Sequence, residues 1–231
     1  RDAQESRGLG DVYKRQYVLN CLPMKKNRVV FSSYRGTQYA CNPRYISEYL
    51  VKEHPGEYEI IWAFQKPEKY DFLKKDGIKI VGYNSLKRFY YEATSKFSIN
   101  NIGSFSYLPR RQGQEHINTW HSGFDMTGCA LTEPRNDKIM CKTLKMSSKE
   151  TTLFLSPNQW FSDFALQKEF DYYGEVLNYG LPRSDDLVNE NHIKLEKKMR
   201  DYLGVNDDTV IFMYGPTWRL SLIHISEPTR L

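Results

Sequence analysis

Hydrophobic and polar positions along the chain follow two alternating periods. Short runs of β-branched and aromatic residues, at Arg28–Ser33, Tyr58–Phe64 and Ile78–Val81, are typical of buried strands. Between such runs, apolar residues recur at helical spacing, as from Leu86 to Ala93. Strands that alternate with helices predict right-handed βαβ units and a mostly parallel sheet. The pattern therefore predicts an α/β fold with a Rossmann-like sheet.

The same two periods continue towards the end of the chain. Further strands are predicted at Phe97–Ile99, Ile117–Trp120, Thr152–Leu155, Glu175–Tyr179 and Thr209–Tyr214. Further helices are predicted at Asn42–Glu53, Pro67–Lys75, Ser85–Lys96, Arg135–Ser147, Asn158–Phe170 and Asn191–Leu203. We expect Asn42 to cap the first of these helices, with Pro43 at its first position.

The two ends of the chain follow neither period. Residues 6–16 (SRGLGDVYKRQ) and 220–230 (LSLIHISEPTR) match translations of one transposon-type sequencing adapter in its two orientations. We therefore interpret 1–16 and 220–231 as adapter-derived and exclude them from fold reasoning. The natural protein is expected to be 17–219, as part of a longer reading frame.

Within 17–219, we predict a Rossmann-like domain over 17–190. The charged helix from Asn191 would then connect it, over 191–219, to the first strand of a second domain. In the alternative, that helix is one more surface helix of a single sheet.

Composition narrows the classes of function. Setting the ends aside lowers the formal charge from +5 to +4. This mild excess fits an anionic substrate or an acidic membrane surface, and equally an ordinary solvated surface, but it is not a nucleic-acid signature. The sequence has no GxGxxG motif or P-loop, which argues against a dinucleotide oxidoreductase or an NTPase.

The cysteines and the hydropathy add two further expectations. Cys21, Cys41, Cys129 and Cys141 form no CxxC pair and no metal-ligand spacing, so we expect a reducing compartment and no metal site. No apolar run approaches the roughly 20 residues that span a bilayer. Membrane contact of this stretch would therefore be peripheral.

One histidine stands where chemistry is expected. The predicted strand Ile117–Trp120 leads into His121, followed by Ser122 and Gly123. Ligands bind at the carboxyl ends of parallel strands, and a histidine there can act as a general base near neutral pH. The alternative is a structural histidine beside a buried tryptophan.

Four segments then occur in a fixed order: Asn42-Pro43-Arg44-Tyr45-Ile46, Asn118-Thr119-Trp120-His121, Gly180-Leu181-Pro182-Arg183-Ser184-Asp185 and Pro216-Thr217-Trp218-Arg219. Together they resemble the CDP-glycerol:poly(glycerophosphate) glycerophosphotransferase family, whose patterns are NPKYI, NTWHG, GxPRxD and YAPTWR. The resemblance covers essentially Tyr17–Arg219. It corresponds to the N-terminal, acceptor-side half of the family's catalytic region.

The resemblance implies a two-domain fold of the GT-B type with the active site between the halves. Family members transfer glycerol phosphate, or in some cases ribitol phosphate, from a CDP-linked donor to a hydroxyl of a lipid-linked acceptor in teichoic acid or related surface-polymer synthesis. It implies CDP-glycerol as donor substrate, no cofactor, and a cytoplasmic enzyme peripheral to the inner face of the cell membrane. Because the family's donor-binding residues lie in the other half, we expect this chain to be inactive alone.

The resemblance also implies roles for single residues. His121 matches the histidine proposed to take the proton from the attacking hydroxyl, while Arg183 and Arg219 are suited to phosphate. Their alternatives are a carboxylate partner for Arg183, in a helix-starting turn with Asp185, and an interdomain salt bridge for Arg219.

Other polar residues complete the expected substrate contacts: Asn100, Asn118, Ser122 and Asp185. For Asn100 the alternative is a strand-ending turn, and for Ser122 a turn-shaping role. Ser122 replaces the family's glycine and Phe124–Thr127 replace its usual proline and lysine, so the acceptor stays open, as does a loss of activity in this branch.

Two other functions remain compatible with the sequence. One is a GT-B glycosyltransferase that uses a nucleotide sugar. The other is a Rossmann-like binding module without catalysis.

Overall fold

A computed structural model of the chain describes residues 21–103, 110–123, 130–133, 136–188 and 191–214. Within these residues seven strands form one parallel sheet in the order β3-β2-β1-β4-β5-β6-β7. The strands are β1 Lys25–Ser32, β2 Glu59–Phe64, β3 Lys79–Gly82, β4 Ser95–Asn100, β5 Glu115–Asn118, β6 Leu153–Leu155 and β7 Glu175–Leu177. The predicted Rossmann-like α/β fold is confirmed, and the strand order reverses between β1 and β4.

Helical segments connect the strands. The α-helices are α1 Cys41–Glu53, α2 Leu86–Thr94, α3 Lys138–Glu150, α4 Leu166–Phe170 and α5 Asn191–Leu203. The 3-10 segments are Tyr34–Gly36, Pro67–Asp76, Ala130–Thr132 and Pro182–Leu187, and a π-helical turn at Phe161–Ala165 leads into α4.

The central strands are buried on both faces, as parallel strands between two helical layers must be. Phe31, Trp62 and Phe64 point to one face, where the Phe31 and Trp62 ring centroids are 5.5 Å apart and those of Trp62 and Phe64 are 5.3 Å apart. Val30 and Ile61 alternate with them and lie in the core of the other face. These rings hold the central strands rigidly and so fix the edge at which they end.

Two helix boundaries show how local chemistry sets the ends. Ser85 caps α2 as predicted, because its side chain accepts from the Arg88 backbone N–H at 3.2 Å. Asp137 does the same for α3 through Met140 N–H at 2.7 Å, which places that helix a few residues later than predicted. The predicted helix at Asn158–Phe170 is present over 159–170, with a π-helical turn at Phe161–Ala165 in its middle.

The chain divides into two compact units, the first ending at Asp185 and the second beginning at Asp186. The domain boundary predicted between 190 and 191 lies a few residues after this observed division. Described residues of the second unit include α5, as predicted, and an irregular segment to Tyr214.

The strand predicted at Thr209–Tyr214 is not present. Phe212 and Met213 are 92% and 93% exposed, and no described strand pairs with this segment. A strand needs a neighbour to satisfy its backbone groups, so favourable residue types alone do not make one. Arg200 of α5 holds the segment instead, donating to the Thr209 carbonyl at 2.9 Å.

Candidate functional site

Polar residues collect where β1, β4 and β5 end, at the point where the strand order reverses. Ser33 follows β1, Asn100 and Asn101 end β4, and Asn118 ends β5 just before the segment that carries His121. Ligands of open parallel sheets bind at such a reversal, at the carboxyl edge. This edge, in the first unit, is the candidate site.

His121 is held by a backbone carbonyl. Its Nδ1 lies 2.8 Å from the carbonyl oxygen of Asn101. A carbonyl oxygen only accepts, so Nδ1 carries the proton and Nε2 is the basic nitrogen of the neutral ring. The ring also packs against Trp120, with centroids 4.1 Å apart, and meets the Tyr34 ring edge-on at 5.6 Å. These contacts fix the tautomer of the imidazole and restrict the orientation of its ring.

Asn101 joins the histidine to the end of β1. Its side-chain oxygen accepts from the Tyr34 backbone N–H at 2.8 Å, and the residue is fully buried. The pKa of the Tyr34 hydroxyl is raised to about 12, mainly by burial and also by Cys41, while Arg183 opposes the rise. Tyr34 therefore stays a neutral phenol near physiological pH.

Asn100 and Asn118, the two predicted asparagines, shape turns. The Asn100 side-chain oxygen accepts from the N–H groups of Ile102 and Gly103, at 3.3 and 2.7 Å. That of Asn118 accepts from the Trp120 N–H at 2.9 Å, and both asparagines are buried. The turn alternative given for Asn100 thus has direct support, and Asn118 plays the same local role.

Arg183 lies beside the first turn of α1. Its backbone N–H donates to the Asn42 side-chain oxygen at 3.2 Å, and its Nη1 is 3.6 Å from the Cys41 sulfur. The amino end of a helix favours anions, as does a guanidinium. Asp185 is exposed in the same 3-10 segment, and Ser122 is half-buried next to His121.

The expected N-cap role of Asn42 is wrong. Ala40 occupies the cap position, whereas Asn42 is fully buried within α1. Its side chain points away from the helix backbone and donates to the carbonyl oxygens of Thr119 and Trp120, each at 3.1 Å. These partners lie far away in sequence, which is why a local rule assigned the residue to its own helix.

Backbone strain concentrates around this edge. In the described residues, six non-glycine residues have positive φ, and four of them adjoin the site: Tyr34, Arg35, Cys41 and Trp120. Such conformations persist where surrounding contacts enforce them, and they cluster at functional sites.

The structure therefore brings together His121, Arg183, Asn100, Asn118 and Ser122 among the predicted residues. It adds Tyr34, Cys41, Asn42 and Asn101, of which only the paired Asn100-Asn101 and the Asn42-Pro43 start of α1 gave a signal in the sequence. Arg219 and Phe124–Thr127 lie outside the described residues. The described part of the chain holds no group of three or more His, Cys, Asp or Glu that could bind a metal.

Comparison with known proteins identifies the family to which this sequence is similar. The model of the CDP-Glycerol:Poly(glycerophosphate) glycerophosphotransferase family matches residues 13–226. The Bacillus spizizenii teichoic acid poly(glycerol phosphate) polymerase is 29% identical over 209 residues, 87% of this chain and 52% of that protein. The Staphylococcus aureus teichoic acid glycerol-phosphate transferase is 26% identical over 216 residues, 90% and 54% respectively.

Solved structures of the wall teichoic acid polymerase TagF share the fold. A histidine-to-asparagine variant superposes with a TM-score of 0.76 at 23% identity, over 94% of this chain and 56% of that one. The same variant is known with CDPG after a 15 minute soak. The chain thus spans about half the length of these relatives. Because the family match includes 13–16 and 220–226, the adapter interpretation of the ends stays a prediction.

Proposed function

The chain belongs to the CDP-glycerol:poly(glycerophosphate) glycerophosphotransferase family, and we propose that it forms the acceptor-side half of an enzyme that transfers glycerol phosphate from CDP-glycerol to an acceptor hydroxyl. The observation that carries this proposal is the orientation of His121 at the carboxyl edge of the sheet, with Arg183 beside the first turn of α1 at the same edge.

The proposed step is an in-line displacement. His121 Nε2 removes the proton of the acceptor hydroxyl as its oxygen attacks the phosphorus that bears glycerol. A phosphodiester bond forms, the phosphoanhydride bond breaks, and CMP leaves. Positioned base catalysis contributes roughly 10²- to 10⁴-fold, and the remainder would come from positioning and charge stabilisation.

Fixed geometry supports the base assignment. The Asn101 carbonyl sets which nitrogen is basic, and packing against Trp120, with the two rings tilted by 40°, restricts the orientation of the ring. These contacts are important because an imidazole that was free to rotate would present either nitrogen to the hydroxyl. Arg183 would contact an anionic group of the substrate, and the same role is proposed for Arg219.

The donor is proposed to be bound mainly by residues of the second half of the enzyme. The TagF structure with CDPG and the poly(glycerol phosphate) activity named for the relatives support a CDP-linked donor and a polyol phosphate product. The 231-residue chain alone is therefore expected not to turn over.

A lipid-linked acceptor and peripheral attachment to the inner face of the cell membrane complete the proposal. In the part of the chain that the structure describes, no helix is long and apolar enough to cross a membrane. Co-sedimentation of the complete enzyme with anionic lipid vesicles would support attachment, and protein that stays in the supernatant at low ionic strength would refute it.

The decisive experiment uses the complete enzyme with CDP-glycerol and a glycerol-phosphate-primed acceptor, and it measures CMP release together with phosphodiester formation. His121→Ala should lower the transfer rate by roughly 10²- to 10⁴-fold without unfolding the protein. His54→Ala is the matched control, since His54 follows the far end of α1, about 20 Å along the helix from the site.

Three results would change the conclusion. A His121→Ala enzyme within tenfold of wild type would remove His121 from the base role. Wild-type enzyme that releases no CMP from CDP-glycerol would overturn the proposed reaction. Transfer from a nucleotide sugar instead would support the glycosyltransferase alternative.

A further inference from the structure

Asn42 connects three separate segments of the candidate site. Its side-chain nitrogen lies 3.1 Å from both the Thr119 and the Trp120 carbonyl oxygens, and its side-chain oxygen accepts from Arg183 N–H at 3.2 Å. The residue is fully buried in the first turn of α1. One amide thus joins the helix, the segment that carries His121 and the segment that carries Arg183.

The geometry of this junction suits a carboxamide. The carbonyl oxygens of Thr119 and Trp120 accept from Asn42 and the Arg183 N–H donates to it, all within reach of one planar group, while the Trp120 carbonyl also accepts from the Thr119 hydroxyl at 3.3 Å. The hydrogen-bond partners also settle which amide atom is nitrogen. An aspartate would place an oxygen against two carbonyls, and a serine hydroxyl has one proton for the two of them.

The two bonded segments each carry a residue of the proposed reaction. Trp120, whose carbonyl Asn42 binds, has φ +45 and directly precedes His121. Asn42 also holds the backbone N–H of Arg183, and so anchors the backbone from which the guanidinium side chain extends. The Asn101 carbonyl orients the His121 ring, but it does not fix the backbone from which the ring projects. The N–H groups of Thr119 and Trp120 are held by Asn100 and Asn118, and Asn42 holds the carbonyl groups of the same two residues.

We propose that Asn42 is a positioning residue that sets the separation between His121 and Arg183, and thereby between the attacking hydroxyl and an anionic group of the acceptor. This inference rests on the proposed function for the roles of the two residues. It assigns Asn42 no contact with substrate. Its effect is on the rate of transfer, since a displacement of about 1 Å can cost about 100-fold in rate.

The test compares Asn42→Asp and Asn42→Ser in the complete enzyme. Asn42→Asp keeps shape and acceptor but loses both donors, whereas Asn42→Ser avoids a buried charge in case the aspartate variant fails to fold. Asn27→Ser is the matched control, because Asn27 also donates its amide to a backbone carbonyl, that of Glu57 at 3.0 Å, but near the start of β1.

Two readouts separate positioning from general stability. We expect kcat to fall about 100-fold in both Asn42 variants, with the KM for CDP-glycerol changed less than about threefold and the control unchanged. Independently of activity, the ring nitrogens of His121 in the ¹⁵N-labelled chain should report a protonated Nδ1 in wild type and a mixture of tautomers in the Asn42 variants.

Each outcome decides the inference. Loss of kcat together with a changed tautomer ratio, in protein that remains folded by circular dichroism, supports it. Unchanged kcat and tautomer in a folded Asn42 variant overturn it, and so does activity that falls only in proportion to unfolded protein. If wild-type enzyme does not transfer glycerol phosphate at all, the proposed reaction fails and the tautomer measurement alone decides the role of Asn42.

Discussion

Replacing His116 should remove most of the acid sensitivity of this fold between pH 7.5 and 5.0. His116 lies in β5, five positions before His121, and is only 8% exposed. Its Nδ1 has no hydrogen-bond partner among the described residues. The pKa of His116 is lowered to about 4, mainly by burial and also by nearby Arg110, while Glu115 opposes the shift.

The sign and size of the effect follow from the two pKa values. The unfolded chain binds the proton near the ordinary pKa of about 6.5, whereas the folded chain binds it only near 4, so stability is complete above pH 6.5 and is lost as the pH falls towards 4. With these values, protonation of the unfolded state costs about 2 kcal/mol of stability between pH 7.5 and 5.0. Glu59 and Glu115, whose pKa values lie below 4.5 in the folded chain, titrate beneath this window.

Urea unfolding of wild type and His116→Gln at pH 7.5 and 5.0, followed by circular dichroism, measures this difference. Wild type should lose about 2 kcal/mol more than the variant over the interval. An equal loss in the two proteins would refute the reasoning. A His116 ring that titrates above pH 6 by NMR would refute it directly.

Two further predictions concern the scaffold of the site. Glu59→Gln should lower the free energy of unfolding by about 3 kcal/mol at pH 7, because it leaves the buried guanidinium of Arg28 without its charged partner at 2.9 Å. The control, Glu57→Gln at an exposed position, should change it by less than about 0.5 kcal/mol, and equal effects would refute the burial argument. In chemical denaturation, Gly36→Ala should lower the free energy of unfolding by about 2 kcal/mol more than Gly56→Ala, because a Cβ at Gly36 would come within 2.7 Å of a tyrosine ring whereas one at Gly56 would meet nothing within 4 Å. Both glycines have φ near +77, so equal losses would show that the backbone conformation alone matters.

Much of the fold could be predicted because its determinants are local. The runs that became β1 and β2 alternate side chains to two buried faces, and Ser85 caps α2 within three residues of its own position. Periods and caps of this kind are readable from neighbouring residues. The position of His121 at a strand end was predictable for the same reason.

The contacts that assemble the site could not be read in that way. Asn42 obeys the local rule for a helix start, yet it bonds to residues 77, 78 and 141 positions later. Asn101 similarly bonds to Tyr34, which precedes it by 67 positions. A side-chain amide that serves as an N-cap and one that bridges two segments are the same in sequence, and only the tertiary structure distinguishes them.

Buried side-chain amides hold the strained backbone at this edge of the sheet in place. Tyr34, Cys41 and Trp120 hold left-handed conformations that cost about 1–3 kcal/mol each when nothing enforces them. Tyr34 is bonded by Asn101 through its N–H, and the Trp120 carbonyl is bonded by Asn42, so buried amides hold the backbone at two of these places. We infer that these bonds keep the segment before His121 in place before substrate arrives. In the proposed reaction the general base must be in position when the proton moves, and the backbone of this edge of the sheet would hold His121 there.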